Sequence, residues 1–335
     1  MFTAQQLIEA GNKTVEWASG HLNEDGGFGG VEERILAHYK APMAFALAGR
    51  AGEAAAVANH LKNTFYQDGD FHAVTDDPTS GGSKNYRNAW IGRGLHTLGF
   101  YDLSVPTGDF LESEMDAETG GVLTNSSVEG RDRETDWGNT CSTAIAMLAM
   151  GRREAAVRCG DFLAQMLDDQ DGGGEALYLR RDGAGEIITD LTGRPANLYA
   201  VMIGETGQVY WYLGMAMVAF AGLYRWTGDG KWKTAGDRIY DIVSRCDDEV
   251  YAIITNGKVA WGAGAMFAAT GDGKFGRLSD KIWTWVCDTQ TPEGVWLRPG
   301  AETVADQALD VSLDTSLERA SYMFDLAKTL AGGDY

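Results

Sequence analysis

Cations and aromatic side chains gather at six places along this chain, although the whole is acidic. It carries 28 Lys and Arg against 48 Asp and Glu, a net charge of −20. The groups are Arg34, His38 and Lys40; Lys84, Tyr86, Arg87 and Trp90; and Asp136, Trp137, Asn139 and Cys141. Then come Glu205, Gln208, Tyr210 and Trp211; Asn256, Lys258 and Trp261; and Trp296, Arg298 and Asp314. Such a mixture suits proton transfer to and from a small molecule, because histidine titrates near neutrality and carboxylates can share protons with tyrosines. We read His38 and Glu205 as an acid/base pair and Tyr86 or Tyr210 as a proton relay, with Asp136 and Cys141 as further catalytic candidates. Arg87 and Lys258 would anchor the substrate, with Arg298 and His72 close by. Trp90, Trp137, Trp211, Trp261 and Trp296 would wall off water.

Each residue also has a plainer role. His38 could be a satisfied core histidine. Asp136 is better read as a helix cap than as an acid. Cys141 at a helix start could have an activated thiol, but a small buried apolar residue accounts for it better. Tryptophans at helical spacing are usually core. His60 and His96 read as structural.

The elements that must position these residues are announced by glycine. The chain has 44 Gly and only 6 Pro. Clusters recur at Asp25-Gly26-Gly27-Phe28, Asp68-Gly69-Asp70-Phe71, Thr119-Gly120-Gly121-Val122, Asp171-Gly172-Gly173-Gly174 and Glu293-Gly294-Val295-Trp296, with a glycine-free relative near Asp247–Tyr251. Shorter junctions lie between them, of which Thr227-Gly228-Asp229-Gly230-Lys231 and Thr270-Gly271-Asp272-Gly273-Lys274 repeat almost verbatim. The alternation predicts about twelve helices in six hairpins of roughly 50 residues. Segments after long junctions, such as Tyr212–Leu223 and Val259–Ala269, are apolar nearly all round and read as buried; segments after short junctions, such as Arg153–Asp168, are amphipathic. An inner ring within an outer ring is an all-α (α/α)6 barrel, or toroid, here one domain over residues 1–335. An open helical solenoid is the competing arrangement. Inner-helix N-termini would converge on one mouth, whose unpaired N–H groups favour an anionic or strongly polar ligand. Lys and Arg at these starts oppose the helix dipole, which such a ligand would explain.

Gln290-Thr291-Pro292-Glu293-Gly294-Val295-Trp296 resembles the Gln-x-x-x-Gly-x-Trp repeat of terpenoid cyclases. Asp25-Gly26-Gly27-Phe28 resembles the equivalent repeat of protein prenyltransferase β subunits, and Asp136–Cys141 is similar to the start of an inner helix in that α/α-toroid superfamily. The resemblance implies the toroid fold. It does not bring the usual chemistry, because the sequence has no Asp-x-Asp-Asp and no Asp-Asp-x-x-Asp, and its five histidines all lie between His21 and His96, away from any prenyltransferase zinc set. Sugar epimerases and unsaturated-uronate hydrolases share the barrel.

Composition narrows the rest. The acidity disfavours nucleic acid, which needs clustered cations, and anionic membrane. No apolar run is long enough to span a bilayer. No basic region followed by an apolar stretch opens the chain, and the four cysteines are scattered, so a reduced cytoplasmic protein is expected. No metal-ligand spacing or nucleotide loop is present. The expected function is a cofactor-independent isomerase or lyase (dehydration, cyclisation or epimerisation) acting on a small organic, anionic or terpenoid-like substrate. The alternatives are a carbohydrate-active epimerase or uronate hydrolase, and a non-catalytic helical-repeat binding protein. Homo-oligomerisation is left open.

Overall fold

Helices begin where the glycine-delimited segments begin. The computed structural model describes residues 3–74, 84–124, 129–170 and 174–332. Among these, the helices are α1 (Ala4–Ser19), α2 (Ile35–His38), α3 (Ala41–Leu47), α4 (Ala51–Phe65), α5 (Lys84–Thr97), α6 (Tyr101–Ser113) and α7 (Trp137–Ala149). They continue with α8 (Arg153–Asp168), α9 (Trp211–Thr227), α10 (Gly230–Val243), α11 (Gly257–Thr270), α12 (Gly273–Asp288) and α13 (Leu309–Leu330). Long junctions also hold short strands absent from the all-helical reading: β1 (Tyr66–Gln67), β2 (Asp70–Phe71), β3 (Val122–Leu123), β4 (Thr135–Asp136), β5 (Ala176–Tyr178), β6 (Arg180–Arg181) and β7 (Ala200–Met202). Pairs of two or three residues carry no alternation by which a sequence could announce them. No described helix is long and apolar enough to cross a membrane.

The chain forms two compact units, one spanning Glu112–Trp285 and the other built from both ends of the chain, up to Leu111 and from Val286. In the unit of the two ends, α1 packs along α13, and α13 also packs on α2 and α3. The first and last hairpins are thereby joined, which an open solenoid with capped ends would not do. β1 and β2 pair antiparallel through the turn Asp68-Gly69, both with positive φ (49° and 92°), as a two-residue type I′ hairpin requires.

In the Glu112–Trp285 unit, α9 packs on α7 and on α11. Tyr212–Ala221 in α9 and Gly257–Met266 in α11 are buried without a break, as the apolar composition predicts. β3 pairs with β4, β4 with β6, and β5 with β7, all antiparallel. The two near-identical short junctions use one set of hydrogen bonds. Gly228 N–H donates to the Tyr224 carbonyl and Gly271 N–H to the Phe267 carbonyl, each at 2.8 Å. Asp229 and Asp272 then accept from Lys231 N–H and Lys274 N–H at 3.0 and 3.1 Å.

The long-junction glycines share one task. Gly26, Gly69, Gly120 and Gly294 have φ of 85°, 92°, 78° and 91°. A Cβ on each would strike the backbone of an outer helix, at Ala56 in α4, Pro106 in α6, Arg158 in α8 and Lys13 in α1. Two residues later, a side chain of the next inner helix accepts the junction's N–H. Phe28 N–H goes to His38 Nε2 at 3.0 Å, Phe71 N–H to Asn88 Oδ1 at 2.8 Å and Val122 N–H to Thr140 Oγ1 at 2.9 Å. At Gly294 the fourth junction is fixed otherwise, its carbonyl accepting from Thr14 Oγ1 at 2.6 Å. The Asp171–Gly174 cluster lies largely outside the described residues. The glycine-free relative near Asp247 forms a short 3-10 turn, Asp248–Tyr251.

Glycine also sets the spacing of α9 and α11. A Cβ at Gly214 would collide with the Lys258 carbonyl, and one at Gly262 with the Gly214 carbonyl. Backbones that close cannot part without opening the core around them. Gly214→Ala is therefore expected to destabilise the protein by about 1–3 kcal/mol, read as a lowered midpoint in urea unfolding. An unchanged midpoint would show that the two helices slide apart freely.

Candidate active site

Buried charge in the unit of the two chain ends is concentrated on α13. Its residues Asp310, Asp314, Glu318 and Tyr322 recur every four positions along an otherwise buried helix. Facing them is a break between α2 and α3. Pro42 lies within the first turn of α3 and cannot donate the N–H that would continue α2, so Tyr39 and Lys40 sit in the interruption. Lys40 Nζ lies 2.6 Å from Asp314 Oδ1 and 2.7 Å from Glu318 Oε1. The Lys40 side chain is 4% exposed, whereas those of Asp314 and Glu318 keep 12% and 14%.

Aromatic side chains surround this ion cluster. Tyr86 OH donates to Glu318 Oε1 at 3.0 Å. The ammonium of Lys40 is 4.8 Å from the Tyr39 ring centre and 5.8 Å from that of Trp90. Trp90 contacts Tyr322 at 5.8 Å and Tyr86 at 6.5 Å between ring centres. Burial, followed by the nearby carboxylates, pushes the phenols of Tyr39, Tyr86 and Tyr322 well above their ordinary range. They stay protonated and serve as donors. Arg87 is buried beside Asp70 and Tyr39, and burial lowers its pKa. Asn88 holds this start of α5 in place, donating to Asp70 Oδ1 at 2.6 Å while accepting from Phe71 N–H. Arg93 pairs with Asp325 at 3.1 Å and Arg34 with Asp310 at 2.8 Å.

Of the residues singled out from the sequence, Tyr86 and Trp90 thus belong to one cluster. Trp296 and Arg298 lie at its edge, since Arg319, next to Glu318, stacks on Trp296 at 5.1 Å. Asp314 belongs to the sixth of the sequence groups and Lys40 to the first; Glu318, Arg319 and Tyr322 belong to none. The four-residue recurrence on α13 is the signal that reveals them. His72 lies half-buried just after β2.

His38 is corrected from base to structural acceptor. Its Nε2 accepts from Phe28 N–H, so its Nδ1 carries the proton and donates to the Arg34 carbonyl at 2.8 Å. No nitrogen is left for a substrate. It also stacks on His60, with ring centres 4.7 Å apart, and His60 Nε2 donates to the Glu32 carbonyl at 2.9 Å. Burial lowers His38 to about 4. Its expected partner Glu205 belongs to the other unit and is exposed, its carbonyl accepting from Tyr210 OH at 3.0 Å. Tyr210 is buried, which pushes its phenol up.

In the Glu112–Trp285 unit, Asp136 caps α7 as the plainer reading had it. Its Oδ1 accepts from Asn139 N–H at 2.7 Å, and its Oδ2 from Thr124 Oγ1 at 2.6 Å and from the Asn139 amide at 2.5 Å. Burial still raises its pKa against these donors and Arg180. Cys141 is fully buried, and burial drives its thiol well up, the reverse of helix-start activation. Trp137 is core, its Nε1 donating to the Tyr212 carbonyl at 3.0 Å. Trp211 stacks on Tyr212 at 3.8 Å and lies 5.3 Å beneath the Lys258 ammonium. Trp261 is buried in α11.

A second charged centre lies in this unit, outside the six sequence groups. Glu134 takes hydrogen bonds from Arg180 Nη1 at 2.7 Å, Arg194 Nη1 at 2.6 Å and Tyr199 OH at 2.9 Å. Burial alone would raise its pKa, but these donors hold it below the usual range. Nearby, Asp116, Arg133, Thr135, Arg181 and Asp182 line a cleft of about 150 Å³, below the several hundred that small-molecule pockets occupy. Among the described residues no group of three or more His, Cys, Asp or Glu could hold a metal ion.

No family model matches the chain, and no curated protein matches it. Solved structures do. A D-mannose isomerase is 10% identical, with 97% of each chain covered, at a TM-score of 0.69. An α-1,6-mannanase of Salegentibacter sp., an inactive variant in complex with α-1,6-mannotriose, is 12% identical over 96% of this chain and 99% of that one, at 0.66. A type II terpene cyclase from Scytonema, in complex with geranylgeranyl dihydroxybenzoate, is 14% identical over 97% and 98%, at 0.59. At such identities the likeness shows the fold, which is the α/α toroid of six hairpins.

The placement of His38 fixes a pH dependence. Its folded pKa of about 4 lies below the ordinary 6.5, so between these values the unfolded chain binds the extra proton. Its contribution is fully present above pH 6.5 and is lost as the pH falls toward 4. Stability should drop by about 2 kcal/mol from this residue between pH 7 and pH 5. Thermal unfolding of wild type and His38→Gln across that interval should give a visibly flatter profile for the variant; parallel profiles would refute the assignment.

Proposed function

We propose that the chain is an enzyme that moves protons on a small polyhydroxylated molecule, an isomerase or epimerase whose acid/base centre is the Lys40–Asp314–Glu318 cluster. The observation that carries this reading is the meeting of one buried ammonium with two slightly accessible carboxylates, one of which also accepts from a tyrosine. Lys40 holds Asp314 and Glu318 together, so neither has to leave its position when the other changes charge. Glu318 removes a proton from the carbon beside a substrate carbonyl. Tyr86, kept protonated by its surroundings, donates its one O–H to Glu318 Oε1 and holds that carboxylate in place for the abstraction. The proton then returns from Glu318 to the adjacent carbon, while the hydroxyl proton on the carbon first deprotonated passes to the former carbonyl oxygen, giving isomerisation; epimerisation requires the planar enediol to turn its other face to Glu318 before the proton returns. Trp90 and Tyr322 supply flat apolar surface against which a sugar ring can lie. These steps need only residues of the chain. The likeness to a D-mannose isomerase and to a mannanase supports a sugar as the substrate.

A second reading, a terpenoid-like substrate, is favoured by the density of aromatic faces around Lys40 and by the likeness to the terpene cyclase. Carbon-bound deuterium uptake in D2O separates the two. Proton NMR should show exchange into one member of a panel of D-mannose, D-fructose, D-glucose and cellobiose. Geranylgeraniol, offered in parallel, should be recovered unchanged. Glu318→Gln should lower the turnover number by about 10²–10⁴-fold and Tyr86→Phe by a smaller factor, while His38→Gln should retain turnover. Conversion of the isoprenoid alone, or full activity in Glu318→Gln, would overturn the sugar-isomerase reading.

A further inference from the structure

The first long junction differs from its sisters in the kind of atom that holds it. Phe71 N–H is taken by the amide oxygen of Asn88 and Val122 N–H by the hydroxyl of Thr140, and neither acceptor titrates. Phe28 N–H is taken by His38 Nε2 at 3.0 Å, a lone pair that a proton removes. Once protonated, His38 carries an N–H at both nitrogens. Nδ1 keeps its bond to the Arg34 carbonyl at 2.8 Å, but Nε2 and the Phe28 nitrogen then point two donors at each other.

The surroundings of the ring oppose that charge. Burial holds the imidazole neutral, and His60, stacked on it from α4, adds to the effect. The Arg34 carbonyl and the junction carboxylates Glu32 and Asp25 pull the other way and are outweighed. On α13, which also packs on α2, Asp310 is engaged with Arg34, and Asp314 and Glu318 with Lys40. The seven residues of α3 bring no titratable side chain. A ring released into water regains its ordinary basicity, so release of the junction takes up a proton.

The helix α2 depends on this bond. It has four residues, a single turn, too short to stand by its own hydrogen bonds. His38 is its last residue, and Lys40 stands two further on, in the break before α3. We propose that the first junction is an acid-sensitive catch on the candidate site: protonation of His38 frees Phe28 N–H, loosens α2 and draws Lys40 away from Asp314 and Glu318, while the junctions at Phe71 and Val122 stay closed. The proposal rests on the acid/base reading above and adds its regulation. The site is assembled at neutral pH and comes apart, reversibly, in acid.

Hydrogen exchange at single amides, followed by NMR, tests this without a substrate. Wild type and His38→Gln, isotopically labelled at phenylalanine, tyrosine and valine nitrogen, are exchanged at pH 7 and pH 5. Rates are corrected for the intrinsic pH dependence of exchange. With 6.5 for the released imidazole and about 4 for the held one, opening at Phe28 N–H should rise roughly 20-fold between the two pH values. Tyr39 N–H, bonded to the Ile35 carbonyl at 3.1 Å, should follow it, because α2 loosens with the junction. Phe71 and Val122 N–H should keep their protection. In His38→Gln, whose amide oxygen accepts at either pH, Phe28 and Tyr39 should keep theirs too. An equal rise at all four amides is global opening and overturns the proposal. So do a flat response at Phe28, a rise there that Tyr39 does not share, and a rise that persists in His38→Gln. If the variant does not fold, the four wild-type amides decide alone. Deuterium uptake by sugars at pH 7 is a separate measurement: its failure with the acid response intact removes the acid/base reading and leaves the catch.

Discussion

The contact on which the fold depends is the press of a glycine backbone against an outer helix. At Gly26, Gly69, Gly120 and Gly294 the chain turns with positive φ at the point where it touches that helix. An L-residue would meet two obstacles at once, the conformation and the contact. At the first three of these, the N–H two residues further on is taken by His38, Asn88 or Thr140 from the next inner helix. Junction, outer helix and inner helix are thereby locked in one register. The side chains of the candidate site inherit it: Lys40 follows His38 by two residues, Tyr86 precedes Asn88 by two, and Trp296 follows Gly294 by two.

Charge is the second constraint. An acidic chain has gathered Lys40, Arg87, Arg93 and Arg319 in its interior. Buried ions are tolerated where geometry and hydrogen bonding compensate the loss of water, and removing one partner of such a pair is more damaging than removing both. Lys40 meets that condition with two carboxylates, Arg93 with one. The Glu134 centre of the other unit inverts the pattern, one carboxylate held by two guanidinium groups and a phenol. In both places a tyrosine hydroxyl completes the carboxylate's shell.

The hairpin pattern was legible because glycine spacing and all-round apolarity are properties of composition along the chain. So was the Asp136 cap, which needs only an Asp before an apolar run. The strands were not, being too short to have a period. His38 misled for a physical reason: a histidine near neutrality invites a catalytic role, yet here it occupies the position that Asn88 and Thr140 hold in sister repeats, and any side-chain acceptor would serve. Glu318 and Arg319 were invisible because charges on a helix usually mean a solvated face. Only the burial of the residues around them, Leu317 and Ala320 among them, shows that this part of the helix points inward. The Glu134 centre draws on residues up to 65 positions apart and left no local mark.

Joining the first helix to the last has a consequence for how the protein is made. Thr14 and Gly294, hydrogen-bonded at 2.6 Å, are 280 positions apart. At roughly 5–20 residues per second, a ribosome takes on the order of 15–60 s to span them. During that time α1 exists without the helix it will cover, and its apolar face (Leu7, Ala10, Val15, Ala18) has no lasting shelter. The Glu112–Trp285 unit is contiguous and is synthesised entire within that interval. The assembly order is thus written into the topology: the middle of the chain has its partners first, and α1, synthesised before it, is among the last to find its own.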